Sequence, residues 1–243
     1  MDVKVFANKE LAGRAVADAF IAQIAAKPNS VLGLPTGSSP IPVYDALAVA
    51  CAEGRISFKN VKTFNLDEYV GLAVTHPESY RYFMNKNLFT RVDIDMANTN
   101  LPCDGSDITD EQAATYDDRI KAAGGIDLQM LGIGPNGHIG FNEPGTPFDS
   151  LTHKQKLTEA TLAANSRFFD NDPDKVPHYA VTLGIKAIMN ARKIVMIITG
   201  SNKAQTVKDT LCGPVTTAVP ASILQLHPNC TFYLDKDAAS LLG

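Results

Sequence analysis

Short runs of apolar, mostly β-branched residues alternate along the chain with longer segments of helical pattern. The runs predict strands at residues 3–6, 30–34, 61–65, 126–131, 179–183, 193–199 and 231–234. The segments between them predict helices at residues 10–26, 40–52, 77–89, 110–123 and 202–211. Strands separated by helices of this length indicate βαβ units and a mainly parallel sheet. The pattern therefore predicts a single α/β domain over residues 1–243, with helices flanking a modified Rossmann-like sheet.

One long segment, residues 141–177, lacks a clear helix or strand pattern and is rich in Pro, Asn, Asp and Ser. Irregular segments of this length often serve as lids over a functional site. We therefore expect a lid segment at about residues 145–177. Because ligands of parallel sheets bind beyond the carboxyl ends of the strands, chemistry is expected in the loops that follow the strands.

Bulk composition excludes several classes of function. The net charge is −4 and the lysines and arginines are scattered, whereas a nucleic-acid binder normally carries a basic patch. No apolar run approaches the roughly 20 residues that span a bilayer. The four cysteines lack zinc-ligand spacing, and reduced thiols are usual in intracellular proteins. We expect a cytoplasmic protein without nucleic-acid or membrane partners.

The loop after the second predicted strand has the composition of an anion-binding turn. It reads Gly33-Leu34-Pro35-Thr36-Gly37-Ser38-Ser39-Pro40. Glycines and small hydroxyl residues let backbone N–H groups converge on an anion, and a helix N-terminus favours negative charge. The lysine of a Walker P-loop is missing. The loop is either a phosphate-binding loop or an ordinary turn in which a serine caps the next helix.

Two adjacent acids, Asp67 and Glu68, follow the strand predicted at residues 61–65. Adjacent side chains of an extended chain point in opposite directions, so one acid can face a ligand while the other is structural. The position at a strand end suits a general base. The alternative is a solvated loop with acids near a helix start.

A glycine-rich loop at residues 132–144, GIGPNGHIGFNEP, places His138 and Glu143 beyond another predicted strand. It matches the G-x-G-x-x-G fingerprint of dinucleotide-binding proteins, but that fingerprint opens a helix. Gly140 and Pro144 disfavour a helix here, so no dinucleotide is expected. What remains is a turn that presents a histidine able to take and give a proton. A structural histidine is the alternative, and metal ligation by Asp67, His138 and Glu143 lacks a supporting spacing.

Six strings of this sequence resemble those of glucosamine-6-phosphate deaminases: LGLPTGSSP, FNLDEYVGL, HPESYRYFM, GIGPNGHIGFNEPG, ANSRFF and PASILQLHP. They occur in family order and span nearly the whole chain. The broader superfamily includes 6-phosphogluconolactonases, but FNLDEY and NGHIGFNEP match the deaminase versions of their segments. The resemblance implies an enzyme that converts glucosamine 6-phosphate and water into fructose 6-phosphate and ammonium, without a metal or cofactor.

The resemblance also implies catalytic roles. Asp67 is similar to the base that enolises the open-chain sugar, and His138 to the residue that opens the pyranose ring. Asn136 and Glu143 are expected to assist His138. Some family members have Asp at position 136, whereas Asn136 can orient a neighbour by hydrogen bonding but cannot take a proton.

The phosphate of the substrate is expected to bind a loop and two cations. By the same resemblance these residues are Gly37, Ser38, Ser39, Arg167 and Lys203. The alternative for Arg167 is a surface arginine paired with Asp170 or Asp172.

Two rival functions stay open: a sugar-phosphate lactonase of the same superfamily and a non-catalytic sugar-phosphate sensor. A monomer is favoured over an oligomer. Hexameric family members are activated by N-acetylglucosamine 6-phosphate, whose phosphate binds an Arg-x-Lys pair after the NEP motif. The aligned residues here are His153-Lys154-Gln155, so we expect no strong activation.

Overall fold

The computed structural model describes all 243 residues. The strands are β1 (Asp2–Phe6), β2 (Val31–Leu34), β3 (Lys62–Asn65), β4 (Asp67–Tyr69), β5 (Thr99–Asn100), β6 (Leu128–Leu131), β7 (His153–Lys156), β8 (Tyr179–Thr182), β9 (Ile194–Ile198) and β10 (Cys230–Asp235). The α-helices are α1 (Lys9–Ala26), α2 (Ile41–Ala52), α3 (Tyr80–Asn87), α4 (Asp110–Ala122), α5 (Glu159–Asn165), α6 (Ile185–Met189) and α7 (Ala204–Cys212).

Seven strands form one central sheet in the order β1-β10-β9-β6-β2-β3-β5, and every neighbouring pair is parallel. The predicted α/β architecture with a mainly parallel sheet is confirmed. Parallel neighbours require crossover connections, and these place helices on both faces of the sheet. None of the helices combines the length and hydrophobicity that a membrane crossing requires.

The buried strands divide their side chains between two hydrophobic cores. In β9, Val195 and Ile197 face a core that includes residues of α1, α2 and α3. Ile194, Met196 and Ile198 face a second core that includes residues of α4, α6 and α7. This alternation is the period of two expected of a strand covered on both faces.

Local capping decides where two helices begin. Ser79 accepts a hydrogen bond from the backbone N–H of Tyr82 at 3.1 Å, so α3 begins at Tyr80 and not at the predicted position 77. Thr109 and Gln112 form a capping box, which fixes the start of α4 where the pattern predicted it.

A second sheet contains three antiparallel strands in the order β4-β8-β7. Its strand β4 begins two residues after β3 ends, so this sheet adjoins the carboxyl edge of the central sheet. Thr182 of β8 pairs with both Asp67 of β4 and His153 of β7. The strand predicted at residues 179–183 therefore exists but belongs to this smaller sheet.

The segment predicted to form a lid, residues 145–177, contains more regular structure than its composition indicated. It contains β7, α5 and two 3-10 turns. Its residues Phe169 and Val176 pack with Tyr69 of β4 and with Phe141 in a small third core. The segment is therefore docked against the short sheet that begins with Asp67.

The winding of the central sheet reverses between β2 and β6. From β2 the chain continues to β3 on one side, and from β6 it continues to β9 on the other. Gly33 of β2 lies beside Gln129 of β6, and a Cβ at Gly33 would lie 1.9 Å from Oε1 of Gln129. Such a switch point opens a crevice at the carboxyl ends of the strands.

Candidate active site

Four loops that follow neighbouring strands meet at the carboxyl edge of the central sheet. The predicted phosphate loop follows β2, Asp67 follows β3, His138 follows β6 and Lys203 follows β9. These strands are adjacent in the order β9-β6-β2-β3, on both sides of the switch point. The fold therefore gathers at one edge the loops that sequence analysis selected.

The two adjacent acids are buried, with 6% of Asp67 and 0% of Glu68 exposed, so the alternative of a solvated acidic loop is wrong. Glu68 accepts hydrogen bonds from the backbone N–H groups of Tyr69, Tyr80 and Arg81 at 2.9, 2.9 and 2.8 Å. It thereby ties β4 to the start of α3. Burial, and after it the charge of Glu68, raise the pKa of Asp67 to about 8.

The loop that carries His138 passes over the carboxyl group of Asp67. Gly140 of this loop has a φ of 59°. A Cβ at Gly140 would lie 2.9 Å from Oγ1 of Thr182 and 3.5 Å from Oδ2 of Asp67. The backbone N–H of Phe141 donates to the same Thr182 hydroxyl at 3.0 Å. The threonine that pairs with Asp67 in the small sheet therefore also fixes the histidine loop above it.

His138 and Glu143 form the second chemical unit of the site. Nδ1 of His138 lies 3.5 Å from Oε2 of Glu143. The imidazole packs against Gly134, where a Cβ would lie 2.2 Å from Cε1 of the ring. The backbone N–H of Gly134 also donates to the carbonyl of His138 at 2.9 Å. Only glycine at position 134 leaves room for the imidazole in this orientation.

The carboxylate of Glu143 receives hydrogen bonds from two parts of the chain. Nδ2 of Asn136 donates to Oε2 at 2.7 Å, and the hydroxyl of Thr161 donates to Oε1. The hydroxyl of Thr158 lies 3.4 Å from the same Oε1. Burial opposes ionisation, but the interactions with His138, Thr161 and Asn136 outweigh it and lower the pKa of Glu143 to about 2.

Asn136 contacts the carboxylate of Glu143 and the backbone of its own loop. In addition to its bond to Glu143, its Oδ1 accepts from the backbone N–H of His138 at 3.2 Å. It therefore orients the imidazole through Glu143 and through the backbone, which an amide can do without taking a proton.

Three residues of the 145–177 segment that no sequence pattern indicated also reach this site: Thr158, Thr161 and Asn165. The two threonines bind Glu143, and Nδ2 of Asn165 donates to the hydroxyl of Tyr69 at 2.9 Å. The sequence holds one local signal for these residues, a threonine in the position of a helix N-cap. Thr158 is the N-cap of α5 and accepts a hydrogen bond from the backbone N–H of Thr161. Their contact with Glu143 depends on how the lid segment folds back, which no spacing reveals.

The predicted phosphate loop is a turn that leads into α2. No side chain caps α2, so the alternative in which a serine caps this helix is wrong. Gly37 has a φ of 97°, which only glycine adopts without strain. The hydroxyl of Tyr44 donates to the carbonyl of Pro35 at 2.5 Å and fixes the start of the turn. Ser38 is exposed and Ser39 half-buried, at a helix N-terminus that favours negative charge.

The two predicted phosphate-binding cations lie near each other. Nζ of Lys203 donates to the carbonyl of Ile133 at 3.0 Å. Burial, and after it the positive charge of Arg167, lower the pKa of Lys203. Arg167 is exposed and forms a salt bridge with neither Asp170 nor Asp172, and Asp170 pairs with Lys175 at 2.9 Å. Two mutually repelling cations at one edge favour an anion between them.

A cavity of about 740 Å³ lies beside Glu143, between the starts of α4 and β7. Asp110, Glu111, His153 and Gln155 are among its lining residues, and none of the lining residues is Lys or Arg. We call it the α4–β7 cavity. Neither in this cavity nor in the rest of the protein do three His, Cys, Asp or Glu side chains converge as the ligands of a metal ion would. The four cysteines are unpaired.

The fold and the site define an α/β protein with a buried carboxyl group, a histidine–carboxylate pair and two cations at one edge of a parallel sheet. Residues 7–233 match the family of glucosamine-6-phosphate isomerases and 6-phosphogluconolactonases, and the chain belongs to this family.

Among individual relatives and solved structures, the sequence identity is higher with deaminases than with a 6-phosphogluconolactonase. A glucosamine-6-phosphate deaminase of Thermoanaerobacter pseudethanolicus is 47% identical over 100% of this chain and 95% of its own length. The deaminase of Shewanella woodyi is 48% identical, over 100% and 92%. The structure of a monomeric glucosamine-6-phosphate deaminase has a TM-score of 0.96 at 39% identity, covering 99% of this chain and all of that one. The 6-phosphogluconolactonase of Trypanosoma brucei, at 19% identity and covering 100% of this chain and 98% of that one, shares the fold with a TM-score of 0.77.

Proposed function

We propose that this protein is a glucosamine-6-phosphate deaminase, which converts glucosamine 6-phosphate and water into fructose 6-phosphate and ammonium. The observation that carries the proposal is the position of a buried carboxyl group, Asp67, beneath the loop that carries His138. A base and an acid–base histidine at one place are what a ring-opening isomerisation needs. The deaminase names of relatives that align with the whole chain support the same reaction.

Ring opening is assigned to His138. Glucosamine 6-phosphate is mainly a closed pyranose, so its O1 must lose a proton and its ring oxygen O5 must gain one. An imidazole can do both in succession. Glu143, 3.5 Å from Nδ1, stays ionised because its pKa is about 2, and it orients the ring while Asn136 holds the carboxylate.

Isomerisation is assigned to Asp67. The ionised carboxylate takes the proton from C2 of the open-chain sugar, giving an enolamine, and returns it to C1. Water then adds to the resulting C2 imine, and ammonia leaves from the same carbon to give the ketone. The raised pKa of about 8 makes Asp67 a strong base when ionised, and the ammonium group of the substrate favours the ionised form. General acid–base catalysis of this kind contributes roughly 10²–10⁴-fold.

Phosphate binding is assigned to Gly37, Ser38 and Ser39 at the start of α2, together with Arg167 and Lys203. The helix N-terminus and two cations together suit a dianion. Held far from C2, the phosphate supplies binding energy that positions the reacting carbons.

The steps of this reaction are proton transfers, the addition of water to the imine and the departure of ammonia, so the proposal includes neither cofactor nor metal. The similarity to a structure of a monomeric deaminase supports a monomer. The four unpaired cysteines support a cytoplasmic location.

The proposal is tested by measuring ammonium and fructose 6-phosphate formed from glucosamine 6-phosphate, with and without a chelator. We expect equal amounts of both products and the same rate in both conditions. If the protein hydrolyses 6-phosphogluconolactone and releases no ammonium from glucosamine 6-phosphate, the lactonase is favoured. Binding of glucosamine 6-phosphate without turnover would favour a sensor.

A further inference from the structure

Glu143 is held from two independent directions. Its own loop supplies Asn136 and His138, and both act on Oε2. The other oxygen, Oε1, takes its hydrogen bonds only from α5 and its N-cap, through the hydroxyls of Thr161 and Thr158. Thr161 is the closer of the two and is 6% exposed.

Hydrogen bonds to one oxygen alone do not fix the orientation of a carboxylate, because the group can still rotate about the C–C bond that joins it to the rest of the side chain. The bond from Thr161 to the second oxygen removes this freedom. It therefore determines whether Oε2 faces Nδ1 of His138, although Thr161 itself has no part in the proton transfers of the proposed reaction.

The segment that delivers Thr161 also reaches the other parts of the site. Asn165, at the end of α5, donates to the hydroxyl of Tyr69, which is two residues from Asp67. Arg167 follows Asn165 by two residues, in the turn Ser166–Phe168. One short element therefore contacts the histidine–carboxylate pair at its start and carries a proposed phosphate ligand just beyond its end.

We propose that Thr161 is a positioning residue for ring opening: its hydroxyl, delivered by the lid segment, fixes Glu143 against His138, so that this pair is complete only when α5 is docked. The inference rests on the proposed deaminase function. It adds that this segment takes part in assembling the acid–base pair.

The test compares Thr161→Val and Thr161→Ala, which lack the hydroxyl, with Thr161→Ser, which keeps it. Alanine is a strong helix former, so Thr161→Ala keeps α5 intact if valine disturbs it. With ordinary glucosamine 6-phosphate we expect kcat to fall about tenfold in both hydroxyl-free variants, with a smaller change in KM, because the lost bond is to a charged group. Thr161→Ser should restore most of the rate.

The decisive measurement is the deuterium isotope effect on kcat/KM with substrate deuterated at C2. Slower ring opening makes proton removal from C2 less rate-limiting, so the isotope effect should fall below the wild-type value in Thr161→Val and Thr161→Ala and return in Thr161→Ser. A merely structural loss lowers the amount of active protein and leaves the isotope effect unchanged.

Thr210→Val is the matched control, because Thr210 is a fully buried threonine of α7 whose hydroxyl has no hydrogen-bond partner. It should keep the wild-type rate and isotope effect. Wild-type isotope effects in both hydroxyl-free variants, or failure of serine to restore them, would overturn the inference. Failure of the wild type to release ammonium would instead overturn the proposed function.

Discussion

The carboxyl groups of Asp67 and Glu68 lie on opposite faces of β4, and only that of Glu68 is hydrogen-bonded. Glu68 accepts three backbone N–H groups at 2.8–2.9 Å, whereas Asp67 lies beneath Gly140 without a donor. Burial raises the pKa of both groups, and three hydrogen bonds oppose this shift at Glu68. One acid of the pair is thus a structural anchor and the other is free for chemistry.

Asp67→Asn should abolish most of the proposed deamination while substrate affinity changes little, because the proton transfer at C2 is made only on the way to the transition state. We expect kcat to fall by roughly 10²–10⁴-fold, the size of a general acid–base contribution. Exchange of the C2 hydrogen with deuterated solvent should disappear in the same variant. A parallel loss of binding and rate would show that Asp67 is structural.

The same substitution should make folding stability less sensitive to pH. A carboxyl group whose folded-state pKa is raised contributes stability that is fully present below its unfolded value of 3.8 and is lost as the pH rises through about 8. The neutral amide of the variant does not titrate in this range, so the melting temperature of Asp67→Asn, relative to that of the wild type, should be higher at pH 9 than at pH 5. Melting curves recorded across this range provide the check, and a constant difference would contradict the raised pKa.

Gly134→Ala should displace the imidazole of His138 and lower kcat by at least tenfold. A Cβ at position 134 would lie 2.2 Å from the ring, and small misplacement of a catalytic group costs orders of magnitude in rate. Gly132→Ala is the matched control in the same loop, because a Cβ there meets nothing within 4 Å. Equal activities of the two variants would show that the imidazole of His138 tolerates a Cβ at position 134.

Lys203→Ala and Arg167→Ala should each raise KM by about tenfold or more, since a charge-assisted hydrogen bond contributes roughly 1.5–3 kcal/mol. Lys175→Ala removes a cation that pairs only with exposed Asp170 and should leave KM unchanged. Unphosphorylated glucosamine should be a very poor substrate. Comparable turnover of the two sugars would rule out the phosphate assignment.

N-acetylglucosamine 6-phosphate should not strongly activate the enzyme. At the aligned position, Nδ1 of His153 lies 2.8 Å from the carbonyl of Leu151, and Lys154 pairs with Asp107. The α4–β7 cavity next to these residues is lined by acids and no Lys or Arg, so a phosphate would be repelled. The measurement is initial rate against substrate with and without millimolar activator. A sigmoidal curve that the compound makes hyperbolic would contradict the prediction.

The central fold could be predicted from sequence because its signals are local. Strands such as Ile194–Ile198 are continuous apolar runs, and the loops after them carry glycines and polar residues that a parallel sheet gathers at one edge. Asp67, His138 and Glu143 could be selected for the same reason. The two-residue strand Thr99–Asn100 is too short to leave a pattern.

The remaining parts depend on contacts between distant segments. The alternation of side chains along a strand indicated that Asp67 and Glu68 differ in role. It could not show which of the two is structural, because two of the three backbone N–H groups that bind Glu68 come from α3. The bond from Thr161 to Glu143 requires α5 to fold back over the histidine loop. The strand at His153–Lys156 is polar and is stabilised by pairing with β8, so no hydrophobic periodicity in the sequence predicted it.

The pairing of Asp67 with Thr182 has a consequence for the newly made chain. At roughly 5–20 residues per second, a ribosome produces β8 about ten seconds after β4. Until then β4 has no partner strand, although the segments for β1, β2, β3 and β6 have already been synthesised and can begin to assemble. The proposed base, Asp67, is therefore fixed in place late, by a strand from the C-terminal third of the chain. A nascent or truncated polypeptide that ends before residue 179 would carry Asp67, His138 and Glu143 and still lack an assembled catalytic centre.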